Sequence, residues 1–282
     1  MFPVRFIQIG LLSLLIIIAP APGATVVNYA NLKSDWSNVS NPNAGPFGAW
    51  SYTQGGTPLS AISHWAGDGG QTLVGWGPAA NAPGDFLPFF FQTTSPYGDS
   101  EAGDVLIHTT DGANGDSNGP AVLLWTSNVT GTVNVIGSLW PPRLIGRLND
   151  YQLSLVRDGT PTVLDAGQIV EDGSISRCVP IRFRIPGLTI NPGDVLMLQI
   201  TQNASSPFGD FAGVSLSVSS GNCPNSSGDI NGDGRRDGRD IAHFVDCLLN
   251  GNSACGDCSC SDMNNDGFTN LDDLPDFVAA LL

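Results

Sequence analysis

Residues 131–139 are Gly-Thr-Val-Asn-Val-Ile-Gly-Ser-Leu, and they decide the fold class because their hydrophobicity alternates with period two. Val133, Val135 and Leu139 fall on one face of this segment, and polar Asn134 falls on the other. Alternation of this kind is typical of a half-buried β-strand and does not match the helical repeat of 3.6 residues. The segment therefore predicts a strand with one face in a hydrophobic core.

The same character extends in both directions, from Ala24 to about Gly221. Short runs rich in β-branched and aromatic residues alternate with clusters of Gly, Pro, Asn and Asp, and no window keeps a helical period. Besides 131–139, strands are expected at Val26–Tyr29, Trp50–Thr53, Pro88–Gln92, Val105–Thr109, Ala121–Ser127, Tyr151–Leu155, Thr162–Leu164, Ile181–Ile185, Val195–Thr201 and Val214–Val218. So many short strands predict a mainly β fold, a jelly-roll-like β-sandwich domain over residues 24–221.

Several of these segments also resemble a known type of module. Residues 41–52 and 193–200 are similar to the opening and the late strands of β-sandwich carbohydrate-binding modules found in secreted bacterial proteins. Residues 107–108, 121–126 and 131–133 resemble the middle of the same module. The resemblance implies a sandwich fold and a polysaccharide as a possible partner.

The composition excludes one large class of function. The chain has 282 residues, 41% of them hydrophobic, and its 26 acidic residues against 11 basic ones leave a net charge of −15. Because binding to nucleic acid needs clustered cations that neutralise phosphates, a nucleic-acid partner is excluded. All the acidic residues except Glu101 and Glu171 are Asp, the residue of turns and of oxygen-ligand metal loops.

The first 23 residues predict a secretory signal peptide. Arg5 is a positive residue ahead of the apolar run 6–18, and the small residues Ala21 and Gly23 precede the expected cleavage site before Ala24. An uncleaved membrane anchor is the alternative, but the apolar run is short for a membrane span. We therefore expect a secreted, extracellular or cell-surface protein with no membrane span after cleavage.

Six cysteines in a secreted chain favour disulfide bonds over free thiols. Cys178 lies in the β-rich region, and the other five are Cys223, Cys247, Cys255, Cys258 and Cys260. Six cysteines allow 15 pairings, and the sequence does not choose among them. A zinc site at Cys255–Cys260 is the alternative, but this stretch lacks a second pair of ligands at the spacing of zinc sites.

The segment 222–282 carries two copies of a calcium-loop pattern, starting at Asp229 and Asp262. Each copy places oxygen-bearing side chains at loop positions 1, 3, 5, 9 and 12, has a glycine at position 6, and offers a backbone carbonyl at position 7. The predicted ligands to two Ca²⁺ ions are Asp229, Asn231, Asp233, Arg235 (carbonyl), Asp237 and Asp240 in the first loop, and Asp262, Asn264, Asp266, Phe268 (carbonyl), Asn270 and Asp273 in the second. Such sets suit a hard cation that takes six to eight oxygen ligands.

The repeat continues beyond the loops at an offset of 33 residues. Ile241, Phe244, Val245, Leu248 and Leu249 correspond to Leu274, Phe277, Val278, Leu281 and Leu282. The spacing i, i+3, i+4, i+7, i+8 predicts one apolar helix face after each loop. Duplication of both the loop and the helix favours calcium binding over an Asp-rich turn.

Two loop–helix units, each without the entering helix of a complete EF-hand and each closing with Asp, resemble a type I dockerin over about residues 228–282. This resemblance implies calcium-dependent folding and docking onto a cohesin-like extracellular protein partner. It also implies that residues 222–282 form a small dockerin-like domain behind the sandwich.

Two sets of residues in the sandwich region are candidates for a site. Aromatic faces can stack on sugar rings, so Trp50, Tyr52, Trp65 and Trp76 are candidate carbohydrate-binding residues, although sandwich cores also bury such side chains. Asp99, Glu101, Asp104, Asp111 and Asp116 form an acidic cluster in the sequence. Because glycoside hydrolysis needs two carboxyl groups, this cluster could make the chain a glycan-active hydrolase, but its Gly- and Asn-rich context favours turns.

The leading hypothesis is a secreted, calcium-binding adaptor whose non-catalytic sandwich serves extracellular polysaccharide binding or breakdown. No catalytic residue and no organic cofactor are assigned. Two alternatives stay open: a polysaccharide-degrading hydrolase with acids such as Glu101 and Asp104, and a structural surface protein with a calcium-stapled C-terminus.

Overall fold

A computed structural model of the protein describes residues 28–66, 72–78, 87–110, 119–206, 208–220, 230, 238–250, 261–264 and 269–282. The predicted signal peptide at 1–23 lies outside the described residues. No helix among those residues combines the length and the apolar character needed to cross a bilayer.

Two antiparallel sheets account for most of the described chain, which confirms the prediction of a mainly β fold. The strands are β1 (Asn28–Asn31), β2 (Asn43–Ala44), β3 (Gly48–Gln54), β4 (Thr57–Pro58), β5 (Ser60–Ala66), β6 (Thr72–Gly77), β7 (Phe89–Gln92), β8 (Val105–His108), β9 (Ala121–Ser127), β10 (Gly131–Trp140), β11 (Leu148–Arg157), β12 (Thr160–Val170), β13 (Ile181–Ile190), β14 (Val195–Gln202) and β15 (Phe211–Ser219). In this part of the chain one sheet has the order β13-β10-β15-β8-β7-β6-β5, with β1 also paired to β15. The other has the order β12-β11-β14-β9-β3-β2, with β4 paired to β3.

The main core lies between the two sheets and draws apolar side chains from both. Val135 and Leu216 come from the first sheet, and Trp125, Leu153 and Leu198 come from the second. All five side chains are buried. Burial of apolar surface between two layers is what stabilises a sandwich of this kind.

A second apolar cluster covers the other face of the first sheet. It contains Phe89, Phe91, Leu106 and Phe211. Strands β7 and β8 are therefore buried on both faces, which explains why their sequences are continuous apolar runs and do not alternate.

The predicted strands are present, with differences at their ends and with four short strands that the sequence did not indicate. Segment 131–139 lies within β10, and its Val133, Val135 and Leu139 are buried as expected; Asn134, predicted on the polar face, is buried too. The unpredicted strands are β2, β4, β5 and β6. In β6, Gly75 interrupts the apolar run because a Cβ there would lie 2.1 Å from the Phe90 carbonyl oxygen on β7.

The described part of the C-terminal region contains both helices that the repeat predicts. Helix α1 spans Gly238–Asn250, and a 3-10 turn at Leu271–Asp273 leads into α2, Leu274–Leu281. Phe244 and Phe277, equivalent positions of the repeat, stack with ring centroids 4.2 Å apart and form a small core with Ile230. This core is separate from those of the sandwich.

The predicted apolar faces of the two helices are buried only in part: Leu248 and Leu281 pack against this core, but six other positions do not. Ile241, Val245, Leu249, Leu274, Val278 and Leu282 are exposed, with relative exposures from 41% to 103%. Only part of each apolar face packs inward, because two short helices share a core built around one aromatic pair.

Neither of the two cysteines in the described residues, Cys178 and Cys247, is a free thiol. The other four cysteines lie outside the described residues. The pairing of the six cysteines, which the sequence leaves open, is not decided by the described residues.

Candidate functional site

A pocket of about 250 Å³ lies between the edges of the two sheets, where β1 faces β2 and β3. Its lining combines aromatic rings, amide side chains and one carboxylate. The lining residues are Asn28, Tyr29, Ala30, Asn31, Asp35, Asn43, Ala44, Gly45, Pro46, Phe47, Gly48, Trp50 and Trp125.

The aromatic wall of the pocket is formed by Tyr29 and Phe47. Their rings meet edge to face with centroids 5.2 Å apart, and both side chains are only half-buried. Deeper in the pocket, Trp50 and Trp125 are buried in the sandwich core. Half-buried rings beside a polar wall offer an apolar surface to a ligand without leaving the core exposed.

The polar wall is organised around the carboxylate of Asp35. Its Oδ2 accepts hydrogen bonds from the Asn31 backbone N–H at 2.7 Å and from the Trp50 indole N–H at 3.1 Å. Its Oδ1 accepts a hydrogen bond from the Ser34 hydroxyl at 3.2 Å, and its backbone carbonyl accepts one from the Asn43 amide. These contacts fix the carboxylate and hold the 31–43 segment against the sheet.

The floor of the pocket requires glycine at position 48. A Cβ there would lie 2.6 Å from both the Thr126 carbonyl oxygen and the Trp125 indole nitrogen. Contacts under 3.0 Å are not tolerated, so only glycine lets the β3 backbone lie this close to Trp125.

The structure corrects the predicted carbohydrate-binding set. Trp50, Tyr52 and Trp76 are buried, with exposures of 2%, 0% and 3%. Tyr52 and Trp76 stack on each other with centroids 5.9 Å apart, and the Trp76 indole N–H donates to the Ser37 carbonyl at 2.8 Å. Their ring faces are covered by protein, so the prediction that these three stack on sugar is wrong. The side chain of Trp65 lies outside the described residues.

Most of the residues that line the pocket were not predicted from the sequence as site residues. Phe47 and Trp50 lie in the 41–52 stretch that resembles carbohydrate-binding modules, but nothing there distinguished an exposed ring from a buried one. Tyr29 lies at the end of a predicted strand, and Asp35 lies in a polar segment with no periodicity. Their proximity follows from the pairing of β1 with β15 in one sheet and of β2 with β3 in the other.

The acidic cluster predicted around Glu101 is an ion-pair network. Asp104 accepts hydrogen bonds from Arg177 Nε at 2.7 Å and from Lys33 Nζ at 3.1 Å. Arg177 also pairs with Glu101 at 3.1 Å, and its backbone N–H donates to Asp99 at 2.7 Å. Two further acids of the predicted cluster, Asp111 and Asp116, lie outside the described residues.

Electrostatics in this network disfavour acid catalysis. Burial raises the pKa of Asp104, but hydrogen bonds from Arg177, the Glu101 N–H and Lys33, together with the charge of Arg177, bring the pKa below its usual value. A general acid for glycoside hydrolysis needs a raised pKa. Asp104 is therefore held ionised and serves to anchor the Arg177 guanidinium.

Four of the six predicted ligands of the second calcium loop are described in the structure. They are Asp262, Asn264, Asn270 and Asp273. Asp262 and Asp273 are buried, and the Asp273 carboxylate accepts hydrogen bonds from the backbone N–H groups of Asn264 at 3.0 Å and Asn270 at 2.8 Å. Asn264, Asn270 and Asp273, at loop positions 3, 9 and 12, are therefore in contact through the Asp273 carboxylate. All four side chains carry oxygen donors, so they fit a hard cation.

The remaining predicted ligands, apart from Asp240, lie outside the described residues: Asp229, Asn231, Asp233, Arg235, Asp237, Asp266 and Phe268. Asp240, which would close the first loop, is fully buried at the start of α1. Within the described residues no group of three or more His, Cys, Asp or Glu side chains is placed to hold a metal ion. Calcium binding therefore remains a prediction.

No family model matches the chain, and no curated protein matches it in sequence. Among solved structures, a K3 cleaved adhesin domain of Lys-gingipain from Porphyromonas gingivalis aligns with 70% of this chain and 99% of its own, at 9% identity and a TM-score of 0.34. TmCBM61 in complex with β-1,4-galactotriose aligns with 68% of this chain and 97% of its own, at 7% identity and a TM-score of 0.32. The structure of SpGH29 is matched over 40% of this chain but only 21% of its own length, at 16% identity and a TM-score of 0.26.

Proposed function

We propose that the chain is a secreted, non-catalytic adaptor. In this proposal its sandwich binds a sugar unit of an extracellular polysaccharide in the pocket beside Asp35, and its C-terminal region binds calcium and docks onto a protein partner. The observation that carries the proposal is the pocket itself, with two half-buried rings opposite a fixed carboxylate.

The chemistry of the lining matches the chemistry of a sugar. A pyranose has an apolar face that packs on aromatic rings and hydroxyl groups that donate to carboxylates and amides. Tyr29 and Phe47 supply the rings, while Asp35, Asn28 and Asn43 supply the polar partners. The volume of about 250 Å³ is below the roughly 300–1,000 Å³ of sites for drug-sized ligands, which suits one or two sugar rings.

The charge of the pocket selects for an uncharged sugar. Among the described residues that line it, Asp35 is the one carboxylic acid, and none is Lys, Arg or His. An anionic sugar would be repelled by Asp35 and would gain no ion pair in return, and the net charge of −15 adds to this repulsion. We therefore propose a neutral sugar as the ligand class and exclude uronic acids.

A binding role is favoured over hydrolysis because the described lining of the pocket contains one carboxylate, that of Asp35. Glycoside hydrolysis normally uses two carboxyl groups on opposite sides of the bond that is cleaved. The acids considered as catalysts, Glu101 and Asp104, form ion pairs with Arg177 and do not line the pocket.

Calcium is proposed for both loops because the donor set fits it. Asp262, Asn264, Asn270 and Asp273 would hold one ion together with Asp266 and the Phe268 carbonyl, and the first loop would use the equivalent residues. Segment 222–282 carries eleven Asp against three Arg, so two bound ions would offset about half of its net charge. Calcium supplies the attraction that holds these like charges in one loop.

The exposed apolar positions of the two helices form the proposed docking surface. Ile241, Val245 and Leu249 on α1 repeat as Leu274 and Val278 on α2 and Leu282 directly after it, and all six are exposed. Surface-exposed apolar rows of this kind mark interaction sites in soluble proteins. A cohesin-like protein with an apolar surface is the proposed partner.

The test is a screen of the full chain with calcium present against neutral and acidic polysaccharides, measuring both binding and turnover. The proposal predicts binding to at least one neutral polysaccharide without turnover. Turnover that is abolished by Glu101→Gln would establish the hydrolase alternative. Calcium-dependent self-association in sedimentation experiments, without capture of a cohesin-like partner, would favour the structural surface protein.

A further inference from the structure

Two buried carboxyl groups, those of Glu171 and Asp210, interact at one end of the sandwich, and neither residue lines the pocket. Glu171 directly follows β12, and Asp210 directly precedes β15. Their exposures are 8% and 0%. Two acids of like charge so close in a buried environment cannot both be ionised without a large cost in free energy.

Glu171 holds the loop that joins β10 to β11. Its Oε2 accepts hydrogen bonds from the backbone N–H groups of Ile145 and Arg147, each at 2.9 Å. Loop 141–147 is therefore tied to the end of β12 by a single side-chain oxygen.

Asp210 holds the same loop from the other side. Its Oδ1 accepts hydrogen bonds from the Arg143 guanidinium at 2.5 Å and from the Phe211 backbone N–H at 2.7 Å. Its Oδ2 is buried and receives no hydrogen bond from the described residues. A buried carboxylate oxygen needs a donor, and a proton carried by Glu171 would supply it.

The electrostatics agree with a shared proton. Burial, followed by the hydrogen bond and the charge of Asp210, raises the pKa of Glu171 to about 7. Burial also raises the pKa of Asp210, but the hydrogen bonds from Glu171 and Arg143 bring it below its usual value. The proton therefore resides on Glu171, and Asp210 carries the charge.

The other charged groups at this end hold the surrounding loops. The Arg143 guanidinium lies 4.7 Å from the Phe211 ring centroid. The Arg147 guanidinium donates to the Gly209 carbonyl at 2.7 Å and lies 5.1 Å from the Phe208 ring centroid.

The two titratable neighbours of the pair are His108 and Asp172. The His108 ring packs on Phe211 at 4.4 Å, and its Nδ1 donates to the Thr109 carbonyl at 2.7 Å. Asp172 is exposed and bonds to Ser174.

We propose that the proton shared by Glu171 and Asp210 is a pH-sensitive latch that closes loop 141–147 onto residues 208–210. With the proton present, the Glu171 O–H donates to Asp210 Oδ2 and the loop is held. When the proton leaves to solvent, two buried carboxylates repel each other with no proton between them, Glu171 separates from Asp210, and the loop opens.

The experiment measures hydrogen–deuterium exchange of the full chain at about pH 5.5 and about pH 8.5, corrected for the intrinsic pH dependence of exchange. In the wild type, peptides covering residues 141–148 should exchange about tenfold faster at the higher pH after correction, because repulsion between the two carboxylates opens the loop. Glu171→Gln keeps the shape and replaces the proton by an amide N–H that does not titrate. Its exchange should be slow at both values, and the exposed neighbour variant Asp172→Asn should behave as the wild type.

A second variant keeps the test decisive if Glu171→Gln folds poorly. Asp210→Asn removes the charge that faces Glu171, so the midpoint of the pH-dependent exchange should move down by about one pH unit or more. The proposal is overturned if the wild type and Glu171→Gln show the same pH dependence in this loop, or if Asp210→Asn leaves the midpoint unchanged.

Discussion

Replacing Asp104 by Asn tests most sharply whether the acidic cluster is structural. Asp104 is 5% exposed and accepts hydrogen bonds from Arg177 at 2.7 Å, Lys33 at 3.1 Å and the Glu101 N–H at 2.9 Å. The amide keeps the size of the side chain but removes its charge, which leaves the largely buried Arg177 guanidinium without its closest counter-ion.

The size of the effect follows from this burial. Removing one partner of a buried ion pair costs about 3–5 kcal/mol. For a β-rich unit of this size, that corresponds to a fall in melting temperature of roughly 6–20 °C. Glu101→Gln is the matched control, because its side chain is 65% exposed and pairs with the same arginine. It should cost less than about 1 kcal/mol.

The pH dependence gives a second check on the same variant. Because the pKa of Asp104 is lowered in the folded protein, its stabilisation is present above its unfolded value of 3.8 and is lost as the pH falls through the folded value. The wild type and Asp104→Asn should therefore differ most near neutral pH and converge in acid. Melting curves followed by circular dichroism measure both effects. Equal losses for Asp104→Asn and Glu101→Gln at neutral pH would refute the ion-pair account.

Two further predictions concern the C-terminal region. Phe277→Ala removes half of the aromatic pair in a core of few residues, so it should cost about 3–5 kcal/mol and abolish the helical signal of this region, while a control at exposed Val278→Ala should leave that signal in place. Calcium titration of the full chain by calorimetry should give two ions per chain, and Asp273→Asn should reduce this to one by weakening the carboxylate that closes the second loop. Two ions bound by Asp273→Asn with unchanged affinity would contradict the assignment of that ligand.

The fold class was predictable because it depends on local alternation. The valines of segment 131–139 face the core as their spacing indicates, and the helices after both loops follow from a repeat that preserves Phe244 and Phe277. Strand β6 was missed because Gly75, which lies against the β7 backbone, breaks the apolar pattern. Local pattern carries no information on which strand a segment will lie beside.

The pocket was not predictable for the same reason. Asp35, Tyr29 and Phe47 come together only because β1 joins one sheet while β2 and β3 join the other. Aromatic composition pointed instead to Trp50, Tyr52 and Trp76, and large rings in a sandwich stabilise it most when they are buried. Glu171 and Asp210 are likewise distant in sequence, and no sequence motif predicts their interaction.

Binding of a neutral sugar in the pocket beside Asp35 is the central claim, and calorimetric titration of the full chain tests it most directly. The titrant is the neutral sugar that scores best in the polysaccharide screen. Phe47→Ala and Asp35→Ala should each weaken binding by about tenfold or more, because each removes one wall of the pocket. Phe208→Ala, a half-exposed aromatic that does not line the pocket, should bind as the wild type does. Unchanged affinity in both pocket variants, or an equal loss in Phe208→Ala, would contradict the proposed site.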